Sequence, residues 1–176
     1  MLDKSTTLRV AEVFFQRPTT ALLAADIARA TSLSRAAVAE YLQTLQKQGI
    51  ITRTSEHRGS RVYPKYTASR DALVFRREKM VSNLDALWPL IDFLIKTYEP
   101  TLIILFGSYR RGEDIESSDI DIFIETDAKH PTVSQFDKQL GRTVSLYSAP
   151  SLTEISGDLK NNLINGIVLH GYIDLL

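Results

Sequence analysis

Apolar residues recur at Leu8, Val10, Ala11, Val13, Phe14 and Phe15, a broad helical stripe from Thr6 to Phe15 that Pro18 ends because proline cannot continue a helix. LLAADIARATS predicts a second, short helix. A third begins at Ser34, a good N-cap, and stops at Gly49. In it Val38, Tyr41, Leu42 and Leu45 share one face, Ala36, Ala39, Glu40, Gln43 and Lys47 point the other way, and Arg35 sits on the flank. IITRT and RVYPKYT then read as two strands joined by a turn containing Arg58 and Gly59, with Pro64 confining the second strand to an edge or its end. From Ser69 to Trp88 helix formers dominate, and Leu73, Val74, Arg77, Val81, Leu84 and Leu87 are spaced for burial of one side. Pro89 is expected to open a further helix running to about Tyr98.

The pattern changes period after Pro100. Leu102 to Phe106 is a continuous apolar run of strand length, which implies a strand covered on both faces. Ser118 to Glu125 alternates as a second strand, and RTVSLYS, with Thr143, Ser145 and Tyr147 on one side, as a third. Capping boxes at Thr132/Gln135 and Ser151/Glu154 predict two helices, the second reaching about Leu163, and NGIVLHGYIDLL closes the chain with a turn and an apolar segment in which His170 is a packing residue. This order predicts an α+β protein: residues 1–68 with three helices and a hairpin, a helical connector over 69–99, and residues 100–176 around a short mixed sheet.

Composition removes several kinds of chemistry. The 176 residues include no cysteine, so disulfides, thiolate zinc sites and cysteine nucleophiles are out, and His57, His130 and His170 lack metal-ligand spacing. The apolar runs are too short for a bilayer and MLDKSTTLRV lacks the apolar stretch of a signal peptide, so a soluble, cytoplasmic protein without membrane contact is expected. The net charge of +0 hides an asymmetry: residues 1–70 hold 11 Lys+Arg against 5 Asp+Glu, while residues 101–176 hold 6 against 11. A basic half suits a polyanion and an acidic half suits cations. The RREK run, Arg76 to Lys79, reads either as a solvated helix face or as a contact to nucleic acid or nucleotide.

Candidate chemistry concentrates in TLIILFGSYRRGEDIESSDIDIFIET. Gly107 and Ser108 follow the apolar strand at once, as in a strand-to-helix turn whose amides and hydroxyl can hold a phosphate. Asp119 and Asp121, two apart on a strand, project from one face. Two like charges held together are costly unless a divalent cation neutralises them, and hard oxygen ligands suit Mg²⁺, which bridges triphosphate oxygens. Asp119 and Asp121 are therefore candidate metal ligands and catalytic residues, and Gly107 and Ser108 candidate phosphate ligands.

Residues 5–68, with LAADIARATSLSRAAVAEYLQTLQKQGIITR, resemble the winged helix-turn-helix domains of transcriptional regulators. The resemblance implies a recognition helix from Ser34 to Gln48 and a wing at Glu56 to Ser60. Arg35, Gln43 and Lys47 would face the bases or phosphates of double-stranded DNA, and His57, Arg58 and Arg61 the flanking groove or backbone. Such regulators commonly dimerise, so a homodimer is expected. The other reading of this unit is a domain for protein contact or dimerisation.

GSYRRG followed by SDIDIFI, within residues 85–176, resembles the polymerase β-type minimal nucleotidyltransferases. That resemblance places the triphosphate at Gly107 and Ser108 and a metal pair at Asp119 and Asp121, and makes Arg111 an orienting partner of an acidic residue. It also implies a third carboxylate on the next strand, as metal ligand and base, where this chain has Ser145; Glu125 lies four residues beyond Asp121, roughly 13 Å along the strand, too far to substitute. Three functions stay open: a DNA-binding regulator that transfers a nucleotidyl group to an acceptor hydroxyl; a nucleotide-sensing transcription factor without turnover; or, as the resemblance also suggests, an antitoxin acting on a helical partner toxin.

Overall fold

A computed structural model describes residues 5–58, 61–129 and 131–174, without the side chains of His57, Arg58 and Arg61. Gly59 and Ser60 of the expected wing, and His130, lie outside the described residues. The chain divides into two compact units, Met1–Lys79 and Met80–Leu176.

The first unit is built from α1 (Thr6–Gln16), β1 (Leu22–Leu23), α2 (Ala24–Thr31), α3 (Arg35–Lys47), β2 (Ile51–Arg58) and β3 (Arg61–Ala68). Ser34 caps α3 by accepting from the Ala37 amide at 3.2 Å, which satisfies one of the donors a helix start leaves unpaired. Val10, Phe14, Ile27, Val38, Leu42 and Leu45 close one apolar core, with Phe75 edge-on to Phe15 at 5.4 Å. The sheet order is β1-β3-β2, all antiparallel. β3 is therefore central, yet Pro64 causes no loss: it pairs with Ser55 on β2, and the two residues of β1 reach only Lys65 and Tyr66, so β3 is an edge where the proline stands.

Helix α4 (Leu73–Tyr98) is continuous, with Pro89 inside it, and this corrects the expectation of one helix to Trp88 and another from Pro89. Proline removes one ladder bond, and the burial of Leu87, Leu90, Ile91 and Leu94, each at most 1% exposed, outweighs that loss. The buried stripe also differs from the expected one. Leu73 is 81% exposed and Val81 55%, Arg77 is exposed too, and the inward positions are Phe75, Lys79, Asn83 and Leu87 at successive spacings of four. Lys79 and Asn83 disguised that stripe because polar residues are rarely buried unless partnered.

The second unit places β4 (Leu102–Phe106), β5 (Ile120–Glu125), β6 (Val144–Ala149) and β7 (Ile167–Gly171) in a sheet ordered β6-β5-β4-β7. β5 and β6 are parallel and the other pairs antiparallel, so the sheet is mixed and the protein is α+β. Ile103, Leu105, Ile120, Ile122 and Ile124 face Leu87, Leu90, Ile91 and Leu94 of α4, while Leu102, Ile104, Phe106 and Phe123 face Leu152 and Leu163. The apolar run of β4 is thus covered on both sides, as its composition requires.

Two expected helices are shorter than their capping boxes imply. Past Thr132 there is a 3-10 turn over Ser134–Phe136 and then only α5 (Asp137–Leu140), and the Thr132 amide donates to the Tyr98 hydroxyl in place of the Gln135 side chain that a capping box would use. After Ser151, whose hydroxyl accepts from the Thr153 amide, a 3-10 turn (Leu152–Glu154) is separated from α6 (Gly157–Ile164). No helix of the described residues is long and apolar enough to cross a membrane.

Candidate functional site

Three neighbouring strands bring the candidate residues to one end of one sheet face. Phe106 pairs with Asp121 across the antiparallel ladder, and Asp121 pairs with Ser145 across the parallel one. Adjacent strands lie about 4.8 Å apart, so the bend at Gly107, the Asp121 carboxylate and the Ser145 hydroxyl occupy neighbouring lanes. Asp119 immediately precedes β5, and its Oδ2 accepts a hydrogen bond from the Ser145 hydroxyl at 3.1 Å. Glu125 is at the other end of β5, opposite Leu102 and Ala149, where it accepts from the Thr101 hydroxyl and the Leu152 amide, both at 2.6 Å.

Gly107 is required where it stands. Its φ of +71° lies in the left-handed region, and a Cβ there would fall on the Asp121 carboxylate. The backbone thus approaches the acid closely because there is no side chain between them. Ser108 then leads into a single 3-10 turn, Tyr109–Arg111, and not the α-helix the sequence suggested. A turn of three residues, ended by Gly112 at φ +64°, supplies no helix dipole, so any phosphate contact at 107 and 108 would rest on local amides and the Ser108 hydroxyl.

The Asp121 carboxyl is held above its ordinary range, first by burial and second by the charge of Asp119. Both causes penalise the ionised form, and both are relieved by a cation. Among the described residues no group of three or more His, Cys, Asp or Glu gathers at a point. Two carboxylates with an open side still fit Mg²⁺, which is commonly held by one or two carboxylates with water and substrate phosphates completing its shell. Beside Asp119 an open cavity of about 420 Å³ is lined by Ser118, Lys138, Arg142 and Thr143.

Beneath this face lies a buried polar group that sequence reasoning missed. Asn83 donates to the Tyr109 carbonyl and to Asp114 Oδ1, both at 2.9 Å, and Arg142 approaches Asp114 Oδ2 at 3.5 Å. The side chains of Asp114 and Arg142 are 1% and 8% exposed, so the pair is desolvated. The Tyr109 hydroxyl, buried beside Asp114, is pushed far above its usual range, chiefly by desolvation and next by that carboxylate. This network ties the segment after Gly107 to α4 and to the loop before β6. Its signal in the sequence was Asn83, a polar residue in phase with Leu87. Arg111, for its part, pairs with Glu113 at 2.6 Å.

In the first unit Gln43 and Lys47 are exposed on the side of α3 opposite Val38, Leu42 and Leu45, and Arg35 is exposed on the flank. The backbones of His57, Arg58 and Arg61 lie at the tips of β2 and β3, and their side chains lie outside the described residues.

A helix-turn-helix domain and a nucleotidyltransferase domain are joined in this chain. Residues 8–55 match the IclR helix-turn-helix domain and residues 88–160 the nucleotidyltransferase domain. A provisionally named protein adenylyltransferase of Methanocaldococcus jannaschii is 41% identical over 63 residues, which take in 31% of this chain and 63% of that protein. Among solved structures, the adhesin competence repressor of Streptococcus pyogenes is 18% identical, with a TM-score of 0.39, over 54% of this chain and 67% of that one. A Lactococcus lactis ZitR in complex with DNA is 19% identical, with a TM-score of 0.38, over 56% of this chain and 65% of that one.

Proposed function

We propose that this protein is a DNA-binding regulator whose second domain binds a nucleoside triphosphate with Mg²⁺ and transfers the nucleotidyl group to an acceptor hydroxyl. The observation that carries the reading is the juxtaposition of Asp119 and Asp121 with the side-chain-free bend at Gly107, on a domain matching the nucleotidyltransferase family. Asp119 and Asp121 would hold the metal, which when bound supplies charge neutralisation for the triphosphate and for the phosphoryl oxygens during displacement. Gly107 lets the backbone close on the Asp121 carboxylate, and the Ser108 hydroxyl and nearby amides orient the polyphosphate beside it. The chain's own contribution is then positioning and electrostatics, because nucleotidyl transfer asks little covalent chemistry of the protein.

DNA binding by the first unit is supported by the helix-turn-helix match and by the exposed Arg35, Gln43 and Lys47 on α3. His57, Arg58 and Arg61 are assigned to the flanking contacts, a homodimer to the assembly and the cytoplasm to its location, all on the sequence reading.

The test is incubation with α-labelled nucleotides, Mg²⁺ and candidate protein acceptors, comparing the native chain with Asp119→Ala. Label transferred by the native chain and lost in the variant supports the reading. Equal transfer by both removes Asp119 from it.

A second reading, a sensor that binds nucleotide without transfer, is favoured by one observation: Ser145 stands opposite Asp121 where a third carboxylate was expected. Ser145→Asp separates the two, since a gain of transfer identifies a site short of one ligand, and no gain favours the sensor.

A further inference from the structure

The residue at 145 is a hydroxyl already joined to the site. Its Oγ donates to Asp119 Oδ2 at 3.1 Å, and it lies directly across the parallel ladder from Asp121. Of its neighbours, Ser118 accepts from the Ile115 amide at 2.9 Å, and the Tyr147 ring lies against Phe106 at a centroid distance of 5.4 Å. A serine that donates its proton to a carboxylate keeps its lone pairs for another partner, and Ser145 is only half-buried. Hydroxyl, adjacent carboxylate and phosphate site are the elements of nucleophilic catalysis by serine.

We infer that Ser145 is itself an acceptor, so that the protein nucleotidylates its own chain at this residue. The inference rests on the nucleotidyl-transfer reading above and names a substrate for it. In the step, Ser145 Oγ forms a bond to the α-phosphorus of a nucleoside triphosphate. The bond from that phosphorus to the oxygen bridging to the β-phosphate breaks, and this oxygen takes the electron pair as pyrophosphate leaves. The hydroxyl proton passes along the existing hydrogen bond to Asp119 Oδ2 and on to water. The product is a phosphodiester between Ser145 and the nucleoside, and the reaction stops after one event because the adduct fills the site.

The full chain is incubated with Mg²⁺ and each of the four α-labelled ribonucleoside triphosphates, and the tryptic peptide spanning 143–160 is sequenced by mass spectrometry. The expected result is one nucleoside monophosphate on Ser145, absent from Ser145→Ala and kept in Tyr147→Phe. Calorimetric titration with the same nucleotides runs in parallel. Nucleotide bound but no adduct, or an adduct mapped to another residue, overturns self-transfer and leaves the nucleotide site standing. No nucleotide bound overturns the transfer reading and this inference with it. Because the adduct is located in the native protein, the outcome does not depend on a variant folding correctly.

Discussion

Replacing Asp121 with asparagine should make the unliganded protein more stable and the metal-loaded protein less so. Asp119 and Asp121 are two residues apart on an extended chain, about 6.6 Å. Coulomb's law gives a repulsion of about 0.6 kcal/mol at the dielectric of water and about 2.5 at an effective value of 20. Asp119 is exposed and Asp121 only half-buried, so screening favours the lower end and an expected gain of about 0.5–1 kcal/mol at pH 7. For a unit of this size that is a rise in Tm of about 2 to 8 °C. The sign with pH follows from the raised carboxyl: the destabilisation is complete above the folded-state pKa of Asp121 and disappears as pH falls through it toward the ordinary value of 3.8. The Asp121→Asn advantage should therefore shrink on acidification. Mg²⁺ reverses the ranking, since a ligand at a hundred times its Kd stabilises the native chain by about 2.7 kcal/mol and the variant has lost a ligand. Thermal unfolding of both proteins at neutral and acid pH, with and without Mg²⁺, checks all three points. Destabilisation by Asp121→Asn at pH 7 without metal, or an advantage unchanged in acid, would refute the argument.

Other consequences can be measured in the same preparations. Gly107→Ala forces a non-glycine residue into left-handed backbone, about 1–2 kcal/mol, and drives its methyl group onto Asp121, so the Mg²⁺-dependent rise in Tm should vanish; a full rise would show that the close approach is unimportant. Asp114→Ala leaves Arg142 buried without its carboxylate and should cost about 3–5 kcal/mol in urea unfolding, against less than about 1 for an exposed pair such as Arg77 with Glu78. Lys47→Ala should weaken binding to a mixed-sequence duplex and lower the salt slope by about 1, as for one lost phosphate contact; an unchanged slope would take Lys47 out of the interface.

What could be read before the structure was known depended on whether a local signal had a competitor. Ser34 capping α3 and the run from Leu102 to Phe106 had none, since the serine accepts from an amide only three residues on and a strand apolar on both faces must be covered on both. Thr132 had one: the Tyr98 hydroxyl, 34 positions away, bonds its amide, and the expected helix begins later and is shorter. Pro89 reads as a helix start in any local window, and only the burial of Leu87, Leu90 and Leu94 keeps the helix continuous through it. The candidate site shows the same division. Asp119, Asp121 and Gly107 carry their spacing in one segment, whereas Asn83, Asp114 and Arg142 meet from three separate segments, and only Asn83, in phase with Leu87, leaves a local trace. The bond between Ser145 and Asp119 joins residues 26 apart and required the β5–β6 register to become visible.

On the proposed function, Asp119, Asp121 and the bend at Gly107 share one metal and one triphosphate. A crystal grown with Mn²⁺ and a non-hydrolysable nucleoside triphosphate tests it most directly. The expected result is an anomalous peak within about 2.2 Å of a carboxylate oxygen from each aspartate, and phosphates beside the 107 and 108 amides. Metal bound elsewhere, or a triphosphate lying away from that bend, would contradict it.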